Sequence, residues 1–199
     1  MRLPPFVLLA ALVVAPPVAA QVSVRVGAGV TLAGALVSDA ILYDDLVSLT
    51  TGIAPTLAVG IAYPVAPRYR LLLEGRLASA SLRSTDNAGE RDLGSLRTLA
   101  VTAVAEGPLP LGLRFHAGGG FIRYAPSDAT GVFADGSPTK PMVTAGISWV
   151  RPLRPGLDLH LGGRWDMHEF TTSTLQARGW SLAQRVHRLG LTASLERGF

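Results

Sequence analysis

Apolar and polar residues alternate along most of the chain with a period of two. In residues 22–32 the even positions Val22, Val24, Val26, Ala28, Val30 and Leu32 are apolar, and the odd positions Ser23, Arg25, Gly27, Gly29 and Thr31 are small or polar. Side chains two apart share one face of a strand, so this segment reads as a two-faced β-strand. The same alternation recurs in residues 53–63, 69–80, 97–106, 111–123, 142–150, 157–167 and 186–199. Eight strands result, each near the 9–11 residues that cross a bilayer when tilted. Three connections are short and Pro-rich: Pro64–Pro67, Gly107–Pro110 and Arg151–Pro155. Tight turns favour such residues. The other four, 33–52, 82–94, 124–140 and 168–184, read as longer polar loops. Alternating short and long connections predict an all-β fold, an eight-stranded antiparallel up-and-down transmembrane β-barrel with short periplasmic turns and long outer loops.

Residues 1–20 do not follow the alternation. Arg2 is a short positive region, Phe6–Val14 is apolar, and Val18-Ala19-Ala20 precedes Gln21. This is the pattern of a secretory signal peptide, with cleavage expected after Ala20 and a barrel domain over 21–199.

Composition narrows the choice of outer face. Hydrophobic residues make up 48% of the chain and charged residues 16%, and the mean hydropathy is +0.34. Soluble proteins carry about 25% charge, and no apolar run after residue 21 reaches the roughly 20 residues of a membrane helix. A soluble barrel of the lipocalin kind would bury the apolar face and expose a Lys- and Glu-rich one. Here the polar face is mostly Gly, Ala, Ser and Thr, which suit a narrow lumen. Tyr63, Tyr69, Trp149 and Phe199 lie on the apolar face beside the short turns, and Phe121 and Trp165 lie on it near the long loops. Two aromatic belts on one face are the signature of membrane interfaces.

The net charge of +4 comes from 18 basic residues, of which only Lys140 is a lysine. They are scattered singly, which speaks against nucleic acid as a partner. The absence of cysteine excludes disulfides, thiolate metal sites and cysteine nucleophiles. Parity places Arg25, Arg70, Glu74, Arg76, Glu106, Arg114, His116, Asp158, His160, Arg164, Asp166, Arg188 and Glu196 in the lumen, where buried charges must pair. Glu106 and Arg114 flank one turn and are expected to approach each other. Arg97 and Arg123 fall on the outward face at the long-loop end.

Signal peptide, eight amphipathic strands and a terminal Phe199 resemble the small outer-membrane β-barrel proteins of Gram-negative-type bacteria, the OmpA/OmpX/OmpW and opacity-protein group. The resemblance implies an outer-membrane location with both mature termini periplasmic. It implies recognition of Leu191, Ala193, Leu195 and Phe199 by the barrel-assembly machinery. It also implies an outer leaflet of lipopolysaccharide, whose phosphates suit Arg97 and Arg123. The function read from all this is structural or surface-recognising, with the four outer loops contacting an extracellular ligand and the lumen plugged by charge pairs. A narrow small-solute channel is the alternative.

An enzymatic reading rests on Asp166, His168, Glu169 and Ser173, an acid, base and hydroxyl set of the type that lipid A-modifying barrels carry. No motif supports it, and no enzyme activity is expected. Asp39, Asp44 and Asp45 lack the spacing of a calcium loop. Gly118-Gly119-Gly120 is followed by no Lys and Ser/Thr, so it is no phosphate loop. No cofactor or metal is expected.

Overall fold

The computed structural model describes residues 22–42, 45–128, 131–134, 136–177 and 183–199. The signal-peptide assignment therefore lies outside the described residues. So do the side chains of Asp39, Asp44 and Asp45. The strands are β1 (Ser23–Ala33), β2 (Val37–Leu42), β3 (Asp45–Thr51), β4 (Ala54–Ala66), β5 (Tyr69–Asp86), β6 (Gly89–Pro108), β7 (Leu113–Pro126), β8 (Thr139–Arg154), β9 (Leu157–Phe170) and β10 (Gln184–Gly198).

Eight of them, β1 and β4 to β10, form a closed antiparallel ring. The ring is sealed by β1 against β10, in unbroken register from Ser23↔Gly198 to Ala33↔Arg188. Closure leaves the ring no free edge, the condition for carrying strand backbone through lipid. The short connections are Pro67–Arg68, Leu109–Gly112 and Pro155–Gly156.

Two segments expected to be loops are strand instead. Residues 33–52 contain the β2–β3 hairpin, and β3 continues the line of β4 by pairing Ser48↔Thr85 to Thr51↔Leu82 on β5. Residues 82–94 are the top of the β5–β6 hairpin, which pairs through Arg83↔Asp92 to Asp86↔Gly89. The β5–β6 extension is polar on its exposed side, with Arg83 and Glu90 paired at 2.9 Å. Its polarity imitates a loop, while backbone pairing with a neighbour already in place holds it as strand.

The apolar face looks outward. Leu57, Leu191 and Val26 are 63%, 66% and 58% exposed, whereas Glu106 and Asp166 on the other face are each 1% exposed. A water-soluble protein has the opposite distribution, so the exposed apolar band is the lipid-facing surface of a transmembrane barrel. Above Phe121 and Trp165 the two faces exchange character. Outward positions become Arg83, Arg97, Arg123, Glu169 and Arg185, all exposed. Inward positions become Leu82, Leu96, Ile122, Tyr124, Met142, Phe170 and Val186, all buried. With Leu36, Val37, Leu49, Phe133 and Leu175 they form one apolar cluster. The barrel is thus lipid-facing below this level and has an ordinary hydrophobic core above it.

Gly118-Gly119-Gly120 lies in the middle of β7. A Cβ on Gly118 would fall 2.1 Å from the Ala103 carbonyl oxygen, and one on Gly120 would fall 1.9 Å from that of Val101. The run lets the β6 backbone approach β7 closely. The closed ring also gives a simple expected result: unboiled protein runs faster than boiled protein on a detergent gel. Identical mobility, with fractionation in the aqueous phase, would contradict a lipid-facing barrel.

Candidate functional site: the lumen and the outer rim

In a ring of eight, β5 faces β9 and β6 faces β10 across the lumen. The alternation of each strand points every second residue inward, so charges on opposite walls meet at the centre. Towards the short turns, Arg25 donates to Glu106 Oε1 and Oε2 at 2.7 and 2.9 Å and to Glu196 Oε2 through Nε at 2.9 Å. Arg70 donates to Glu106 Oε2 at 2.7 Å and also bonds Glu196 Oε1. The Ser23 hydroxyl donates to Glu196 Oε1 at 2.7 Å. Nearer the middle, Arg164 donates to Glu74 Oε1 at 2.5 Å and to Asp166 Oδ1 at 2.8 Å. Arg76 donates to Asp166 Oδ2 at 2.7 Å and stands 3.4 Å from Glu74. Thr102 Oγ1 accepts from Arg164 at 3.1 Å.

These contacts make two quartets, each of two arginines and two carboxylates, and each therefore neutral. Bidentate guanidinium–carboxylate geometry satisfies the lone pairs that burial would otherwise strand. A cavity of about 40 Å³ lies against them, lined by His116, Ser148 and His160 among others. It has room for a few waters. Both ring nitrogens of His160 lack hydrogen-bond partners, although Nε2 stands 3.2 Å from Glu196 Oε2 without alignment for a bond.

Glu106 does not meet Arg114. Both its oxygens are held by Arg25 and Arg70, and Arg114 makes no ion pair among the described residues. The reason is geometric: Arg114 lies opposite Pro108, one inward position nearer the mouth than His116, which is the direct partner of Glu106. Asp158, half-buried near the same mouth, also makes no ion pair among the described residues. Among the described residues Arg188 donates only to Thr98 Oγ1, at 3.1 Å.

The acid, base and hydroxyl considered for catalysis are not assembled. Asp166 is held by Arg76 and Arg164. His168 bonds the Tyr124 hydroxyl through Nε2, and its Nδ1 has no partner. Glu169 points outward, and Ser173 is exposed at the start of a short helix that buries Leu175. Tyr124 and His168 sit above the outer belt inside the apolar cluster. Burial, with Arg188 nearby, holds the imidazole well below its usual range, at about 4. Burial pushes the Tyr124 phenol up.

On the outer wall Arg97 and Arg123 are exposed on the paired strands β6 and β7, diagonal neighbours through Leu99↔Arg123 and Arg97↔Ala125. Trp165 lies two strands away on β9, stacked on His187 at 5.8 Å between ring centroids. Tyr63, Tyr69, Trp149 and Phe199 are on the exposed face beside the short turns, and Phe121 is exposed near the other end. Leu191, Ala193 and Leu195 line the outward face of β10 and Phe199 follows its end, where the Arg197 guanidinium stands 5.6 Å from the Phe199 ring centroid.

The apolar cluster over the lumen was not part of the sequence reading. Its signal is the continuing alternation in Phe121-Ile122-Arg123-Tyr124 and in Met167-His168-Glu169-Phe170, with the apolar member now on the other face.

No protein-family model and no curated protein matches the chain. Solved structures do. The crystal structure of Neisserial surface protein A aligns with a TM-score of 0.54 at 12% identity, covering 90% of this chain and 99% of that one. That of the outer membrane protein OprG from Pseudomonas aeruginosa aligns with a TM-score of 0.55 at 10% identity, covering 90% and 96%. At such identity the likeness is one of fold, and it agrees with the closed ring and the outward apolar band: the chain has the eight-stranded fold of the small outer-membrane β-barrels.

Proposed function

We propose that this protein is an integral outer-membrane barrel with a plugged lumen and a structural or surface-recognising role carried by its outer end. The observation that carries the reading is the pair of neutral quartets reaching across the lumen beneath the apolar cluster. An open passage would have to break buried guanidinium–carboxylate bonds and part the apolar residues above them. Planar-bilayer reconstitution tests it: the protein is expected to be electrically silent. Discrete conductance steps would favour the second reading, a narrow small-solute channel, for which the lumen cavities are the supporting observation.

In this reading the chain is exported with residues 1–20 removed, and its termini face the periplasm. Leu191, Ala193, Leu195 and Phe199 are the assembly signal. The aromatic residues at both ends of the apolar face anchor it at the two interfaces. Arg97 and Arg123 contact lipopolysaccharide phosphates just above the outer belt, where an exposed arginine is cheap to place. Arg97→Gln with Arg123→Gln is expected to lower lipopolysaccharide co-purification while leaving heat-modifiable mobility intact. Unchanged lipid retention would return both to ordinary surface residues. No catalytic role is assigned, because His168 is spent on Tyr124 and Asp166 on two arginines. A mass shift of lipid A on incubation with purified protein would overturn that.

A further inference from the structure

We propose that the outer part of the lumen binds a single chloride-sized monovalent anion beside Arg188. The two quartets are each neutral, so the lumen charges left over are Arg114, Asp158 and Arg188. Arg114 and Asp158 are half-buried near the short-turn mouth, and Arg114 Nη1 is buried there without a hydrogen-bond partner. Arg188 is more deeply buried: it is 6% exposed, and its one hydrogen bond among the described residues is to the Thr98 hydroxyl. Asp166 stands directly across the ladder from it, but both Asp166 oxygens are turned to Arg76 and Arg164. His168 nearby is bonded to Tyr124. A buried guanidinium without a counter-charge is costly, and the usual remedy is an anion in contact with it.

The space for one is present. Arg188 lines a cavity of about 20 Å³ together with Thr31, Thr51, Thr98 and Tyr124 and a set of Ala, Leu and Gly residues. Among the described residues no carboxylate lines it. By the measure that gives one water about 10–15 Å³ of such volume, the cavity admits one small sphere. Hydroxyl groups and a guanidinium donate to an anion, and a water in the same place would leave the Arg188 charge unbalanced. Arg188 is on β10 and Thr98 on β6, so an anion held between them ties opposite walls together directly below the apolar cluster. The inference does not depend on what the outer loops recognise.

The test uses the full chain refolded in detergent, with the midpoint of its heat-modifiable transition measured in sodium chloride, sodium bromide and sodium gluconate at equal ionic strength. Chloride and bromide are expected to raise the midpoint saturably, by about 5 °C at a hundredfold excess over Kd, and gluconate to leave it unchanged. Arg188→Met removes the charge at similar length and is expected to abolish the difference between salts. Should that variant fail to fold, crystals of the unmodified protein grown in bromide give a direct reading, an anomalous peak between Arg188 and Thr98. Equal midpoints in chloride and gluconate, a halide effect that survives Arg188→Met, or bromide crystals without that peak would each overturn the assignment. The plug is judged separately, by conductance.

Discussion

Glu106→Gln is expected to destabilise the folded barrel by about 3–5 kcal/mol, because it leaves two buried cations to share what remains. Glu106 is 1% exposed and accepts from both Arg25 and Arg70. With its charge gone, Glu196 alone faces two guanidinium groups. The desolvation cost of both arginines has already been met in the folded state, so the loss is that of an unbalanced buried charge rather than of one hydrogen bond. The measurement is urea unfolding in lipid vesicles, followed by tryptophan fluorescence. Combining Glu106→Gln with Arg25→Met is expected to cost clearly less than the sum of the two single changes, since the double variant removes one charge of each sign. Additive losses would mean that the quartet is not an energetic unit. The exposed pair Arg83–Glu90, with both side chains 56% exposed, is the internal control: Arg83→Ala is expected to cost below about 1 kcal/mol.

Phe170→Ala is expected to be of comparable size, about 3–5 kcal/mol, but by a different physical route. Phe170 is fully buried and meets Tyr124 edge-on at 5.3 Å and Phe133 at 5.8 Å between centroids. Truncation opens a cavity where both rings lose contacts. The effect is expected to concentrate above the outer belt, so proteolysis within 124–140 should accelerate more than global unfolding. Leu191→Ala makes the contrast. Leu191 is 66% exposed on the lipid face, where acyl chains fill the space that a smaller side chain leaves, and the loss is expected to be small. Equal sensitivity at both sites would argue that the cluster above the lumen is not packed as a core.

The strand ladder was legible because a period of two is a local property. Val24-Arg25-Val26 must place its arginine opposite its valines whatever the chain later does, and the Pro-rich turns mark reversals in the same local way. Where polarity stopped reporting secondary structure, the reading stopped too. Arg83–Asp86 and Glu90–Asp92 look like loop, yet each is held as strand by a partner on the neighbouring segment. Loop boundaries in such stretches are set by pairing between segments, which the period within one segment does not encode.

The lumen divides along the same line. Parity assigned Arg25, Glu106, Arg164 and Asp166 to the inside from the sequence by itself, along with the outward placing of Arg97, Arg123 and the aromatic residues. Which arginine meets which carboxylate is a matter of ring order, shear and strand tilt. Glu106 is near Arg114 along the chain, yet it bonds Arg70, its direct ladder partner on β5, and Arg25, which the closing of β1 on β10 brings to it across the lumen. The exchange of apolar and polar faces above Phe121 and Trp165 has the same origin. Each residue kept its alternation, and only the closed barrel decides that Ile122, Tyr124 and Phe170 converge on one another. Charge pairing and packing act between positions distant in sequence, so they become definite only when the ring has closed.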